Sequence, residues 1–412
     1  MRIIVTGGGT GGHIYPAIAI AQKFIEKDPD GEVLYVGCHE GFEKDLVPKA
    51  GLNITLVDAR WINKKNVYQL LKTSARVTHG IIQARKVIKK FKPDAIIGTG
   101  GYVCFPVIFA GAKMGIPCFI HEQNAFPGLA NRKLEKYVKK VFLGFKEGEE
   151  YFQDQSKMVT TGNPVRDSFF KLEKSEARKK LGISDDDFVL LSFGGSLGAK
   201  SINNVAFEIA KELTKREKAK ISENENISEN ENKKKSENEA SDVIDTENAK
   251  KTLDGRNVIM YFGTGKWYYD EVMKRCEDEN VKFSDNIKIK SYIDDMDNVL
   301  IASDMVISRA GALSTTEAMV SGKPCILIPS PNVAGNHQYF NAKAMADKGA
   351  ALLIEEKDLK VDASDGRIDF VDTVMNLMGD SSKLAEMEEN AKKAAPLNAT
   401  DIIYNEVVSI IK

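Results

Sequence analysis

Short β-branched runs alternate with helical patterns along this chain, and the whole alternation occurs twice. The first series predicts strands at residues 3–6, 33–36, 54–57, 95–97, 118–120 and 141–143. After Gly162-Asn-Pro-Val the pattern restarts, with strands expected at 188–193, 258–262, 287–290, 305–307, 325–328 and 351–354. Alternating strand and helix builds a parallel sheet covered by helices on both faces. Two such series in 412 residues imply two domains, since single cores stop growing near this size. The expected fold class is therefore α/β, with two doubly wound Rossmann-like domains. Ligands belong at the carboxyl ends of the strands, in the cleft between the domains. The expected boundaries are 1–162 and 163–395. The last segment, 396–412, carries Ile402, Ile403, Val407, Ile410 and Ile411 at near-helical spacing and is expected to pack back on the first domain.

One segment breaks the pattern. Residues 217–251 contain Ser-Glu-Asn-Glu three times and no aromatic residue, so they are expected to form a disordered insertion. The chain is otherwise 42% hydrophobic and 28% charged with a net charge of −1, which offers no bulk attraction for nucleic acid. Its five cysteines form no CxxC pair, which reads as reduced thiols. Met1-Arg-Ile-Ile-Val lacks a signal-peptide pattern, and no run of about 18 apolar residues exists to span a bilayer. Any membrane role is expected to be peripheral.

Three glycine-rich loops follow predicted strands. Thr6-Gly-Gly-Gly-Thr-Gly-Gly-His13 contains Gly7-x-Gly9-x-x-Gly12 and opens a helix with Pro16 in its first turn. Glycines let the backbone approach an anion, and the helix N-terminus adds donors and about half a positive charge. Thr99-Gly-Gly-Tyr-Val-Cys-Phe-Pro106 and Gly194-Gly-Ser-Leu-Gly-Ala199 repeat the arrangement, the latter in the second series. A dinucleotide-dependent oxidoreductase needs one such loop. Three loops on two domains fit two phosphorylated substrates. Further on, Arg309-Ala-Gly-Ala-Leu-Ser-Thr-Thr-Glu317 joins a strand to a helix. Its N-terminus suits a diphosphate, and Glu317 can accept both hydroxyls of a ribose. Gln338, in His-Gln-Tyr-Phe-Asn, can donate to and accept from sugar hydroxyls.

Taken together, GGTGGH, GTGGYV, HEQNAFPG, GNPVR, FGGSLGA, SYIDDM, RAGALSTTE and HQYFNA occur in order. This set resembles the MurG family of GT-B glycosyltransferases, over nearly the whole chain except the insertion. That family moves N-acetylglucosamine from UDP to undecaprenyl-diphospho-muramyl-pentapeptide. The resemblance implies no cofactor, no metal, a lipid-linked acceptor and a place on the cytoplasmic face of the bacterial plasma membrane. It also implies site roles. Ile293 would meet uracil through its backbone, and Glu317 would hold the ribose. Ser196 with Ala312, Leu313, Ser314, Thr315 and Thr316 would hold the diphosphate. Gln338 would read the sugar, and Arg166 would line the donor site. Thr10, Gly11, Gly12 and Asn124 would reach the donor sugar from the first domain. Gly9, Thr99, Gly100, Gly101 and Tyr102 would face the acceptor diphosphate. Two local departures stand out: Phe105 in YVCFP, and His337 before Gln338.

Inverting transfer needs a base, and the candidates are His13 and Glu122. Asp295-Met-Asp297 has the form of a metal-binding DxD but is expected to cap a helix. Between Asp58 and Asp94 there are ten Lys or Arg, interleaved with apolar residues, and no acidic residue. This 60–92 segment reads as a surface for anionic lipid. The competing functions are a glycolipid synthase, a UDP-N-acetylglucosamine 2-epimerase, the oxidoreductase, and a non-catalytic sugar-nucleotide-binding protein.

Overall fold

The computed structural model describes residues 1–59, 67–166, 168–233, 256–359, 369–396 and 398–412. Thirteen strands form two all-parallel sheets among them. They are β1 (Arg2–Thr6), β2 (Glu32–Cys38), β3 (Ile54–Val57), β4 (Ala95–Gly98), β5 (Cys118–Glu122), β6 (Lys140–Leu143), β7 (Met158–Thr160), β8 (Phe188–Phe193), β9 (Val258–Gly263), β10 (Ile287–Lys290), β11 (Met305–Ser308), β12 (Cys325–Leu327) and β13 (Ala351–Leu353). The first sheet has the order β3-β2-β1-β4-β5-β6-β7 and the second β10-β9-β8-β11-β12-β13. Each predicted strand is present within a residue or two. β7 was missed, because three residues at a sheet edge carry too little periodicity.

Both orders reverse direction at the strand that opens the domain, so each sheet has a switch point beside β1 and β8. Central strands are buried on both faces: Ala95–Gly98 and Met305–Ser308 are buried throughout. That is why they read as continuous apolar runs. The C-terminal helix Ala399–Ile411 lies on the first domain. Ile403 and Val407 enter its core beside Ile14 and Phe24, and the Phe24 and Tyr404 rings are 5.0 Å apart.

The helix after β8 runs Lys200–Lys233 and carries the first part of the expected insertion as helix. Its favourable helix formers, Glu and Lys, continue the pattern beyond the packed residues. Residues 234–251 lie outside the described residues. So do residues 60–66 of the basic segment, whose remainder lies on helix Val67–Phe91. No helix among the described residues is long and apolar enough to cross a membrane.

Candidate active site

The first glycine loop leaves β1 and enters helix Gly11–Lys27 with no side-chain cap at Thr10, so the Gly11 and Gly12 N–H groups are open while His13 N donates to the Thr10 carbonyl (3.1 Å). Gly9 has φ +87° and its backbone N–H donates to Glu43 (3.2 Å). Glu43 is fully buried and also accepts from the Cys38 N–H (3.0 Å). The second loop lies directly against the first. A Cβ at Gly9 would meet the Tyr102 ring at 2.7 Å, and one at Gly101 would meet the Gly8 carbonyl at 2.1 Å. Neither glycine can be replaced without moving the other loop.

His13 closes this arrangement. Its Nδ1 lies 3.1 Å from the Thr99 carbonyl and 3.0 Å from Gln123 Oε1. A carbonyl only accepts, so Nδ1 carries the proton and Nε2 is the open lone pair. Glu122, the other candidate base, is buried and has both oxygens occupied. Oε1 accepts from Asn124 N (3.0 Å) and Nδ2 (3.1 Å); Oε2 accepts from Gly128 N (3.0 Å) and Asn131 Nδ2 (2.8 Å).

The second domain contributes the helix Ala312–Val320. Gly311 caps it without a side-chain bond, leaving the first-turn N–H groups of Ala312, Leu313 and Ser314 available. Thr315 is buried with no partner for its hydroxyl among the described residues. Glu317 follows on the same helix, 3.6 Å from Arg166, whose other nitrogen pairs with Asp297 at 2.6 Å. Burial pushes the Glu317 carboxyl up to about 7, opposed in part by Arg166. Ser196 is exposed on the third glycine loop, and its carbonyl accepts from Lys266 N. Ile293 is buried, with its side chain close to Gly263. Gln338 Oε1 accepts from Ser330 N (2.9 Å), which leaves one oxygen lone pair and the amide N–H groups for a ligand.

The DxD aspartates do not converge. Asp295 sits at the N-cap of helix Met296–Ala302, yet its carboxylate bonds the Asn298 side chain and Lys180 rather than the helix backbone. Asp297 pairs with Arg166 and Ser168.

The two domains meet at the loop after β5. Asn341 is fully buried; its Oδ1 accepts from Ala125 N (2.8 Å), and its Nδ2 donates to Asn124 Oδ1 (3.2 Å) and the Ala310 carbonyl (3.0 Å). Asn163 Nδ2 donates to the Gln123 carbonyl (3.0 Å) and Thr316 Oγ1 (2.9 Å). The Phe126 and Phe340 rings stack at 5.2 Å. Thus Asn124, expected on the donor sugar, has both ends of its amide engaged at the domain junction. Tyr15 of the first domain lies within electrostatic reach of Tyr292, Arg166 and Glu317; desolvation, then Tyr292, raises its hydroxyl pKa. Gln123, Asn163 and Asn341 stand inside motifs already conspicuous in the sequence, but their roles are visible only in three dimensions. Glu43 had no local signal at all, since it lies 34 positions from the glycine it holds.

Residues 3–143 match the Glycosyltransferase family 28 N-terminal domain and residues 189–402 its C-terminal domain. The UDP-N-acetylglucosamine–N-acetylmuramyl-(pentapeptide) pyrophosphoryl-undecaprenol N-acetylglucosamine transferase of Acetivibrio thermocellus is 39% identical, covering 100% of this chain and 99% of that protein. The protein of the same name from Clostridioides difficile is 37% identical, covering 100% of this chain and 89% of that protein. Among solved structures, Acinetobacter baumannii MurG superposes with a TM-score of 0.70 at 23% identity, covering 99% of each chain. A Neisseria meningitidis UDP-GlcNAc 2-epimerase shares the fold at 0.63 and 15% identity, covering 99% of this chain and 100% of that one. The chain is a glycosyltransferase of GT-B architecture and belongs to the MurG family, the N-acetylglucosamine transferases named above.

Proposed function

We propose that His13 is the general base of an inverting transfer of N-acetylglucosamine from UDP-N-acetylglucosamine to the 4-hydroxyl of undecaprenyl-diphospho-N-acetylmuramyl-pentapeptide. The observation that carries this reading is one connected path of hydrogen bonds. It runs from His13 through Gln123 and Asn163 to Thr316 on the uncapped donor-domain helix. Base and leaving-group site are therefore linked by direct hydrogen bonds. His13 Nε2 takes the hydroxyl proton as the acceptor oxygen attacks the anomeric carbon. The bond from that carbon to the UDP oxygen breaks with inversion. Negative charge on the departing diphosphate is stabilised by the open N–H groups of Ala312, Leu313 and Ser314 and the hydroxyls of Ser314 and Thr315, with Ser196 opposite; the Thr316 hydroxyl donates to the Ala312 carbonyl and ties this turn to Asn163. Glu317 holds the ribose, Ile293 the uracil, and the Gln338 amide donates to the sugar hydroxyls. Arg166 holds Glu317 and Asp297 in place. Thr10, Gly11 and Gly12 line the sugar from the first domain. Gly9, Thr99, Gly100, Gly101 and Tyr102 present backbone to the acceptor diphosphate. Glu122 shapes its own loop, because four donors already fill its oxygens.

The acceptor's lipid calls for a membrane face, and the basic segment on the first domain supplies one. Arg85, Lys86, Lys89 and Lys90 are exposed on helix Val67–Phe91, with Ile82 47% exposed beside them. Each basic group near an anionic leaflet contributes about 1 kcal/mol. Phe105 stacks on Phe109 at 5.8 Å on the adjoining helix Cys104–Lys113 and adds an apolar edge.

Transfer of labelled N-acetylglucosamine to a short-chain analogue of the muramyl-pentapeptide lipid tests the reaction. A β-linked disaccharide product is expected. UDP release without disaccharide would overturn the acceptor assignment and favour the epimerase or glycolipid chemistry.

A further inference from the structure

The hydrogen bonds behind His13 have directions that can be assigned without any ligand. They start at Gly162, whose carbonyl only accepts, so His121 carries its proton on Nε2 (3.0 Å). His121 is fully buried, and burial lowers its pKa to about 4, so the ring is neutral and Nδ1 is bare. Nδ1 then accepts from Gln123 Nε2 at 2.9 Å. The same amide nitrogen donates to the Thr99 carbonyl at 2.8 Å. With its nitrogen facing these two acceptors and the His121 carbonyl at 3.3 Å, Gln123 turns Oε1 to His13 Nδ1 at 3.0 Å.

We infer that Gln123 is a positioning residue for the transfer: backed by neutral His121, it holds His13 in the Nδ1–H tautomer and leaves Nε2 free to take the acceptor's proton. The inference rests on His13 being the base. Thr99 supplies a second acceptor for Nδ1 at 3.1 Å, but that carbonyl is shared with Gln123 Nε2. It favours the same tautomer without alone fixing the ring. Gln123 does so from a buried amide whose own flip would set N–H against N–H at His13 and oxygen against the bare nitrogen at His121.

The relay also starts at a telling place. Gly162 has φ +79°, and a Cβ there would overlap Pro396 at 1.8 Å. Its neighbour Asn163 bonds the Gln123 carbonyl on one side and Thr316 on the other. The segment that joins the domains therefore also orients the base.

The test uses the full-length enzyme carrying Q123M, which keeps volume and removes both amide ends. Nitrogen-15 NMR on histidine-labelled protein reads the His13 tautomer, assigned by the signal lost in H13A. The expected result is a mixed tautomer, a kcat lower by roughly tenfold or more, and KM values for both substrates within about twofold of wild type. A pure Nδ1–H tautomer with near-normal kcat would show that Thr99 suffices and would overturn the inference while leaving the base reading intact. A loss confined to KM would equally overturn it. Normal turnover in H13A would instead sink the base reading, and the NMR on Q123M would still report whether Gln123 orients the ring. Q123E keeps an acceptor at Nδ1 and, with its second oxygen protonated, a donor toward the Thr99 carbonyl and His121, so it should retain more kcat than Q123M; equal loss in both, or failure of both to fold, counts against a positioning role.

Discussion

Glu317 is pulled two ways. Burial raises its pKa from 4.5 to about 7, while Arg166 at 3.6 Å works against that rise. A ribose with two hydroxyl donors wants the carboxylate, so a proton competes with the nucleotide. UDP affinity should weaken as pH falls below 7, approaching about tenfold per unit, and E317Q should bind weakly with little pH dependence. Calorimetry across pH 5.5 to 8.5 (roughly the buffered range) checks it; a flat wild-type profile would remove the ribose role. The same group has a stability consequence of defined sign. Its folded pKa lies above the free value, so the native state holds the proton more tightly. That contribution is complete below pH 4.5 and is lost as pH rises through about 7. E317Q should therefore melt higher than wild type above pH 7 and lose that advantage in acid. The two candidate bases separate just as cleanly. H13A should cut kcat by roughly 100-fold or more with Tm and UDP affinity unchanged. E122A should instead lower Tm, because four donors lose their acceptor.

At the scale of elements, the loop after β5 is the joint on which the site depends. From a fully buried position Asn341 makes two hydrogen bonds to this loop, with Ala125 N and Asn124 Oδ1, and a third to the Ala310 carbonyl of its own domain. Asn341→Ala leaves the Ala125 N–H without its acceptor, and each such buried group costs about 1–3 kcal/mol. A lower Tm and a lower kcat are expected together, with UDP affinity of the donor domain little changed. Unaltered kcat in thermal-shift-matched assays would mean that the loop does not set the chemistry. Lys323 plays a related part below the site. Its ammonium lies against the carbonyls of Ile301 (2.7 Å) and Ser303 (2.8 Å), where helix Met296–Ala302 ends. That helix carries Asp297 toward Arg166 at its other end. Burial lowers the Lys323 pKa to about 7, so the amine reaches its neutral buried form near neutrality.

At the scale of the molecule, the exposed basic residues of helix Val67–Phe91 lie on the first domain, which the proposed function assigns to the lipid-linked acceptor. Both substrates can then arrive from different phases: a nucleotide sugar from water and a lipid from the bilayer. Triple reversal K86E/K89E/K90E should release the protein from anionic vesicles in a flotation assay. Turnover on a water-soluble acceptor analogue should persist. Retained vesicle binding would contradict a docking surface on helix Val67–Phe91. Salt should mimic the reversal, since exposed charges are screened over about 8 Å at physiological ionic strength.

The strand–helix alternation, the restart after Gly162 and the three glycine loops were legible from sequence because each is a local pattern. Parallel strands buried on both faces must be apolar runs, and a turn that brings backbone to an anion must be glycine. The same locality made His13, Glu317 and the Ala312-Leu-Ser-Thr-Thr turn readable as candidates. Sequence favoured His13 over Glu122 as the base but could not settle between them. The reading turns on which lone pairs are already spent: those of Glu122 accept from Asn124, Gly128 and Asn131, whereas His13 donates its Nδ1–H toward Thr99 and Gln123 and keeps the Nε2 lone pair. It could not find Glu43 beneath the loop, or see that Gln338 Oε1 already accepts from Ser330 and that Asn124 has engaged both ends of its amide. Hydrogen-bond direction and burial are properties of what the fold brings together, and those partners lie from two to more than 200 positions apart in the chain.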